Sequence, residues 1–132
     1  MANENHPTFG NGKICYLMIP ANDISASADF YESVFGWNVR RKSENEISFD
    51  DGVGEVSGMW VTGVEPQPDL GISIHIMVDD IKVTMEKIVA SGGKITQEVG
   101  AHAPEITAKF SDPAGNVFAL YQSRRSERSQ ET

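Results

Sequence analysis

Two stretches decide the fold: Asn22–Trp37, NDISASADFYESVFGW, and Asp79–Gly93, DDIKVTMEKIVASGG. In the first, Ile24, Ala28, Tyr31 and Phe35 recur at spacings of four, three and four, which places them on one face of a helix. Asp23 or Ser25 can cap its start, and Gly36 stops it. In the second, Ile81, Met85 and Ile88 share a face, Asp80 stands at the N-cap position, and two glycines close the helix. Thirteen residues separate Asp23 from Gly36, and thirteen separate Asp80 from Gly93. A helix repeated at one length, with the same punctuation, points to two copies of one unit.

Working outward, each helix is preceded by one short apolar run and followed by three. Ile14–Ile19, ended by Pro20, reads as a strand, as do Val39–Arg41, Ile47–Phe49 and Val56–Val61. The second set is Ile72–Val78, Lys94–Val99, Ile106–Phe110 and Val117–Tyr121. DDGVG (50–54) and DPAG (112–115) are turns, with three residues from Asp51 to Gly54 and from Asp112 to Gly115. VEPQPD (64–69) is a linker. The reading is an α+β chain of two βαβββ modules, about 13–63 and 71–122, in one domain over 13–122. Residues 1–12 read as a flexible polar arm, and 123–132 as a flexible tail. A ferredoxin-like βαββαβ arrangement has too few strands after each helix.

Composition narrows the partners. The 132 residues carry a formal net charge of −8, which argues against nucleic acid or anionic membrane. One cysteine, Cys15, excludes an internal disulfide framework and a Cys-rich zinc site. MANENHPTFG lacks the apolar core of a signal peptide, and no run approaches the roughly 20 apolar residues of a membrane helix. A cytoplasmic location is the expectation.

IPANDISASADFYESVFGW, VDDIKVTMEKIVASGGKI and FSDPAGNVFALYQ resemble the vicinal oxygen chelate superfamily of glyoxalases, bleomycin-resistance proteins and dioxygenases. Its lactoylglutathione-lyase-like branch is the most similar, over about residues 12–122. The resemblance implies a mixed sheet curled into a cup, with the helices on its outer face. It also implies four ligand positions for a divalent ion, on the first and last strand of each module. In the glyoxalase type that ion stabilises an enediolate while a glutamate moves protons.

Carried over by the repeat, those positions are Tyr16, Gly58, His75 and Ala119. Only His75 is a strong ligand; glycine and alanine offer no donor, and a neutral phenol is a poor one. No cofactor is therefore expected, a divalent metal being possible but disfavoured. Strand parity groups Tyr16 with Met18, His75 with Met77, Gly58 with Trp60, and Ala119 with Tyr121. These eight are the expected pocket lining, and the opposite parity (Cys15, Leu17, Ile19, Ile74, Ile76, Val78, Phe118, Leu120) is expected under the helices. Both faces are thus expected to be largely buried.

The function expected is binding of a small organic molecule in an apolar cup, without the family metal. The alternatives are a lactoylglutathione-lyase-like lyase or isomerase, with His75 and Tyr16 as acid–base groups or His75 as a metal ligand, and a dimeric structural or regulatory module without ligand. His75 is equally readable as a packed strand histidine, and Trp60, Met18 and Met77 as core or dimer-seam residues. A homodimer is expected, because aromatics at the ends of the last strands need cover.

Overall fold

A computed structural model describes residues 6–69 and 71–123. The chain divides into two compact units, residues 1–66 and 67–132. Each is a four-stranded mixed sheet with one helix, in the order βαβββ.

In the first unit the order is β1 (Tyr16–Pro20), α1 (Ile24–Phe35), β2 (Asn38–Ser43), β3 (Glu46–Asp50) and β4 (Ser57–Val61). The sheet runs β1-β4-β3-β2, with β1 and β4 parallel and the other pairs antiparallel. α1 begins where Asp23 accepts a hydrogen bond from the Ala26 N–H at 3.1 Å. It ends because Gly36 adopts φ 70°, a left-handed turn that a side chain would resist, and returns its N–H to the Glu32 carbonyl. Ile24, Ala28, Phe30, Tyr31 and Val34 bury the inner face. Against them lies an aromatic ladder: Tyr31 on Trp37 at 4.7 Å, Trp37 on Phe49 at 4.5 Å, and Phe49 on Trp60 at 4.8 Å between ring centroids.

The second unit repeats the plan with β5 (His75–Val78), α2 (Ile81–Ala90), β6 (Lys94–Gln97), β7 (Ile106–Ser111) and β8 (Val117–Gln122). Its sheet runs β5-β8-β7-β6, β5 and β8 being parallel. Asp80 caps α2 through the Val83 N–H, and Gln122 of β8 accepts the Ile81 N–H at 2.8 Å, tying the helix start to the sheet. Ile81 and Ile88 pack on Ala108, Phe110, Phe118 and Leu120, all buried. Asn116, fully buried, accepts from the Gln67 N–H and donates to Asp112, so the start of the unit is fastened to the β7–β8 turn.

Both helices, their caps and all eight strands stand where the sequence places them, with ends shifted by a few residues. The two turns differ by one residue. The Asp112 N–H returns to the carbonyl of Asn116, four residues on; the Asp51 N–H returns to that of Val56, five residues on. The N–H of Glu55 bonds the Asp51 carboxylate as that of Asn116 bonds Asp112, so Glu55 matches Asn116 and Val56 is the extra residue.

The segment read as an arm makes contacts at its described end. Thr8 bonds Gly54 through its N–H and Glu55 through its hydroxyl, and Lys13 reaches the Thr8 carbonyl at 2.9 Å. Residues 1–5, and the tail from 124 onward, lie outside the described residues.

Candidate functional site: the sheet faces opposite the helices

Each helix covers one face of its sheet and leaves the other open. Cross-strand register assigns the open-face residues directly. In the first unit Tyr16 neighbours Ser57, and Met18 neighbours Met59. Ser57 continues to Asp50, and Met59 to Ser48 and then Arg40. In the second unit His75 neighbours Ala119, Lys109 and then Gln97, while Met77 neighbours Tyr121 and Thr107.

Six of the eight expected pocket residues fall on these open faces. Tyr16 and Met18 are 48% and 61% exposed, Met77 is 72% exposed, and His75 is exposed beside the buried Ala119. The sixth, Tyr121, is half-buried. Gly58 and Trp60 are the corrections. Trp60 has no exposed surface and packs on Tyr31 and Phe49, so it belongs to the core beneath α1. Gly58 shares that side: a Cβ there would lie 2.4 Å from the Phe49 ring. The cause is the extra residue, Val56, because counting four residues from Gly54 lands one residue short and a one-residue slip exchanges the faces. The residues that occupy the open face of β4 are Ser57 and Met59.

Burial on both faces is corrected as well. β1 and β5 are edge strands of their sheets, so their open-face side chains stand in solvent. Cys15, expected under the helix, precedes β1 and is exposed. The repeat also pairs differently than expected: counted back five residues from the N-cap aspartates, His75 matches Met18, and Tyr16 matches Ser73.

The sequence reading missed a polar group in the first unit. Asp50 ends β3, where DDGVG reads as a turn, yet its carboxylate is buried on the open face. Arg40 of β2 donates to it at 2.5 Å and the Ser57 hydroxyl at 2.7 Å. Burial alone raises the Asp50 pKa; the hydrogen bonds from Arg40 and Ser57, and the charges of Arg40 and His6, outweigh it and hold the carboxyl below its usual range. The signal was parity in NVRRKS: Val39 and Arg41 face the helix, Arg41 meeting Asp29 and Glu32, so Arg40 faces away. In the second unit Lys109 pairs with Asp69 at 2.9 Å, and the buried Thr107 hydroxyl and Gln97 carbonyl have no hydrogen-bond partner among the described residues.

The donor set does not fit the family's divalent ion. The open-face positions of β1, β4, β5 and β8 supply phenols, thioethers, a serine hydroxyl already given to Asp50, a methyl group and one imidazole. Among the described residues no three His, Cys, Asp or Glu side chains gather to hold a metal. A divalent cation needs several nitrogen, oxygen or thiolate donors in a set geometry.

Two βαβββ units with parallel first and last strands define the glyoxalase class of fold. The profile of the Glyoxalase/Bleomycin resistance protein/Dioxygenase superfamily matches residues 13–120, and the chain belongs to that superfamily. It is 32% identical to a glyoxylase-like domain-containing protein of Didymella fabae, over 83% of this chain and 93% of the relative. It is 31% identical to the lactoylglutathione lyase of Haemophilus influenzae, over 85% and 93%. Among solved structures it resembles a glyoxalase/bleomycin resistance protein/dioxygenase family enzyme of Burkholderia phytofirmans, at TM-score 0.68, 19% identity and coverage of 81% and 95%. It also resembles TnmS3, an antibiotic binding protein from Streptomyces, at TM-score 0.66, 20% identity and coverage of 86% and 98%. Among the described residues no helix is long and apolar enough to cross a membrane.

Proposed function

We propose that this chain binds a small organic molecule against the open faces of its sheets, without a resident divalent ion. The observation that carries the reading is the donor chemistry just described: one imidazole, His75, stands among phenols and thioethers where a metal enzyme of the family needs several strong ligands. Exposed Tyr16, Met18 and Met77 suit flat or apolar groups, since aromatic rings stack and thioethers adapt their shape. The antibiotic binding protein TnmS3 supports the reading only in that it puts the same fold to such a use. A thermal-shift screen against a library of small aromatic molecules tests it. Binding raises the melting temperature in a concentration-dependent way. A library in which no member shifts the melting temperature sinks the reading.

A second reading is a lyase or isomerase of the lactoylglutathione lyase type, favoured by relatives of that name at 30% identity or more. In it His75, exposed at the end of a row that contains Lys109, moves the proton. Turnover of the hemithioacetal of methylglyoxal and glutathione discriminates the two. The binding reading expects no rate above buffer, with or without added nickel or zinc.

A further inference from the structure

Register lines up Arg40, Ser48, Met59 and Met18 across the four strands of the first sheet. All four project from the face opposite α1. With strands about 4.8 Å apart, the row is about 14 Å long, the length of a two- or three-ring molecule. A guanidinium stands at one end and two thioethers at the other.

The guanidinium is held in place. Asp50, buried in the adjacent row, accepts one Arg40 nitrogen and the Ser57 hydroxyl. The Arg40 side chain nevertheless stays 40% exposed, and among the described residues only its Nη1 is engaged. Its remaining donors form a planar fork that matches an acid group. A buried acid paired with arginine adds little net stability. What the pair does is fix a cation beside an apolar strip.

We infer that this face is a site for an organic anion, whose carboxylate, sulfonate or phosphate sits on the free edge of Arg40 and whose apolar body lies over Met59 and Met18. The inference rests on the small-molecule reading above and names its ligand class. The net charge of −8 opposes an anion at long range. At 0.1 M salt that field is screened beyond about 10 Å, so the contact at Arg40 decides.

The test is fluorescence titration of the full chain, in 0.1 M salt, with two probes. One is 1-anilinonaphthalene-8-sulfonate; the other is N-phenyl-1-naphthylamine, the same rings without the sulfonate. Arg40→Gln is expected to weaken the sulfonate by about tenfold or more, the loss of a charge-assisted contact, and to leave the neutral probe within about twofold. Arg40→Lys should fall between. Should Arg40→Gln fail to fold, Ser48→Asp serves: Ser48 is the register neighbour of Arg40 on the open face, so its carboxylate competes for the guanidinium and repels the sulfonate, while the thioethers under the neutral probe are untouched. Equal weakening of both probes by Arg40→Gln assigns Arg40 a structural role and overturns the inference. Full sulfonate binding by folded Arg40→Gln overturns it too, as does a folded Ser48→Asp chain that binds the sulfonate as well as wild type. If the wild-type chain binds neither probe, the small-molecule reading itself falls, and the anion site with it.

Discussion

Gly58→Ala adds one methyl group and tests which way β4 faces. Built on the present backbone, the new Cβ would lie 2.3 Å from the carbonyl oxygen of Leu17 and 2.4 Å from Cζ of Phe49. Neither neighbour can give way cheaply. Leu17 is the register partner of Gly58 on the parallel strand, so its carbonyl moves only if β1 and β4 part. Phe49 is fully buried between Trp37 and Trp60, so its ring has no free space to enter. Overpacking of this kind costs about 1–3 kcal/mol. Alanine recovers about 0.4–1 kcal/mol by restricting the unfolded chain. The net loss should be about 1–2 kcal/mol, and a chain of this size loses roughly 4 °C in melting temperature for each. Differential scanning calorimetry should therefore place Gly58→Ala about 4–8 °C below wild type. An unchanged or higher Tm would refute the reasoning, since it is what alanine on an open, solvated face would give.

The remaining expectations use the same assignments. His75→Ala removes an exposed side chain and should shift urea stability by less than about 0.5 kcal/mol, whereas Ile76→Asp puts a charge on the helix side and should cost more than about 2 kcal/mol; the opposite order would reverse the faces of β5. Asp50 titrates below its unfolded value, so its contribution is present above about pH 4 and lost as pH falls through the folded pKa. The stability gap between wild type and Asp50→Asn should thus be constant from pH 7 to 5 and close toward pH 3, and a gap that widened on acidification would contradict the assigned partners. Exposed Met77 on the edge strand β5 favours a homodimer, seen as twice the chain mass by light scattering at tens of micromolar; a monomer there would show that this edge needs no second copy.

The elements were legible because their punctuation is local. Asp23, Gly36 and Asp80 act within a few residues of themselves, and alternation in HIMV or VFALY reports a sheet face directly. The faces of β1, β5 and β8 followed from that alternation. β4 did not, because its phase was carried across a turn by analogy, and Val56 makes that turn one residue longer than its counterpart after DPAG. The Arg40–Asp50–Ser57 group was hidden for another reason. Its members lie on three strands, and only the pairing of β2 with β3 and β3 with β4 brings them together. Exposure of Tyr16 and Met18 likewise depends on β1 being an edge, a property of strand order that no run of residues encodes.

The claim that the open faces serve an organic ligand without a resident metal is tested most directly by metal content. The protein should be purified without chelator or affinity metal, dialysed extensively, and analysed for zinc, nickel, manganese and iron by plasma mass spectrometry. With no three His, Cys, Asp or Glu side chains gathered to hold a metal among the described residues, less than about one tenth of an equivalent of any of them should remain. About one equivalent, retained through dialysis and lost on His75→Ala, would contradict the account and return the chain to the metal enzymes of its superfamily.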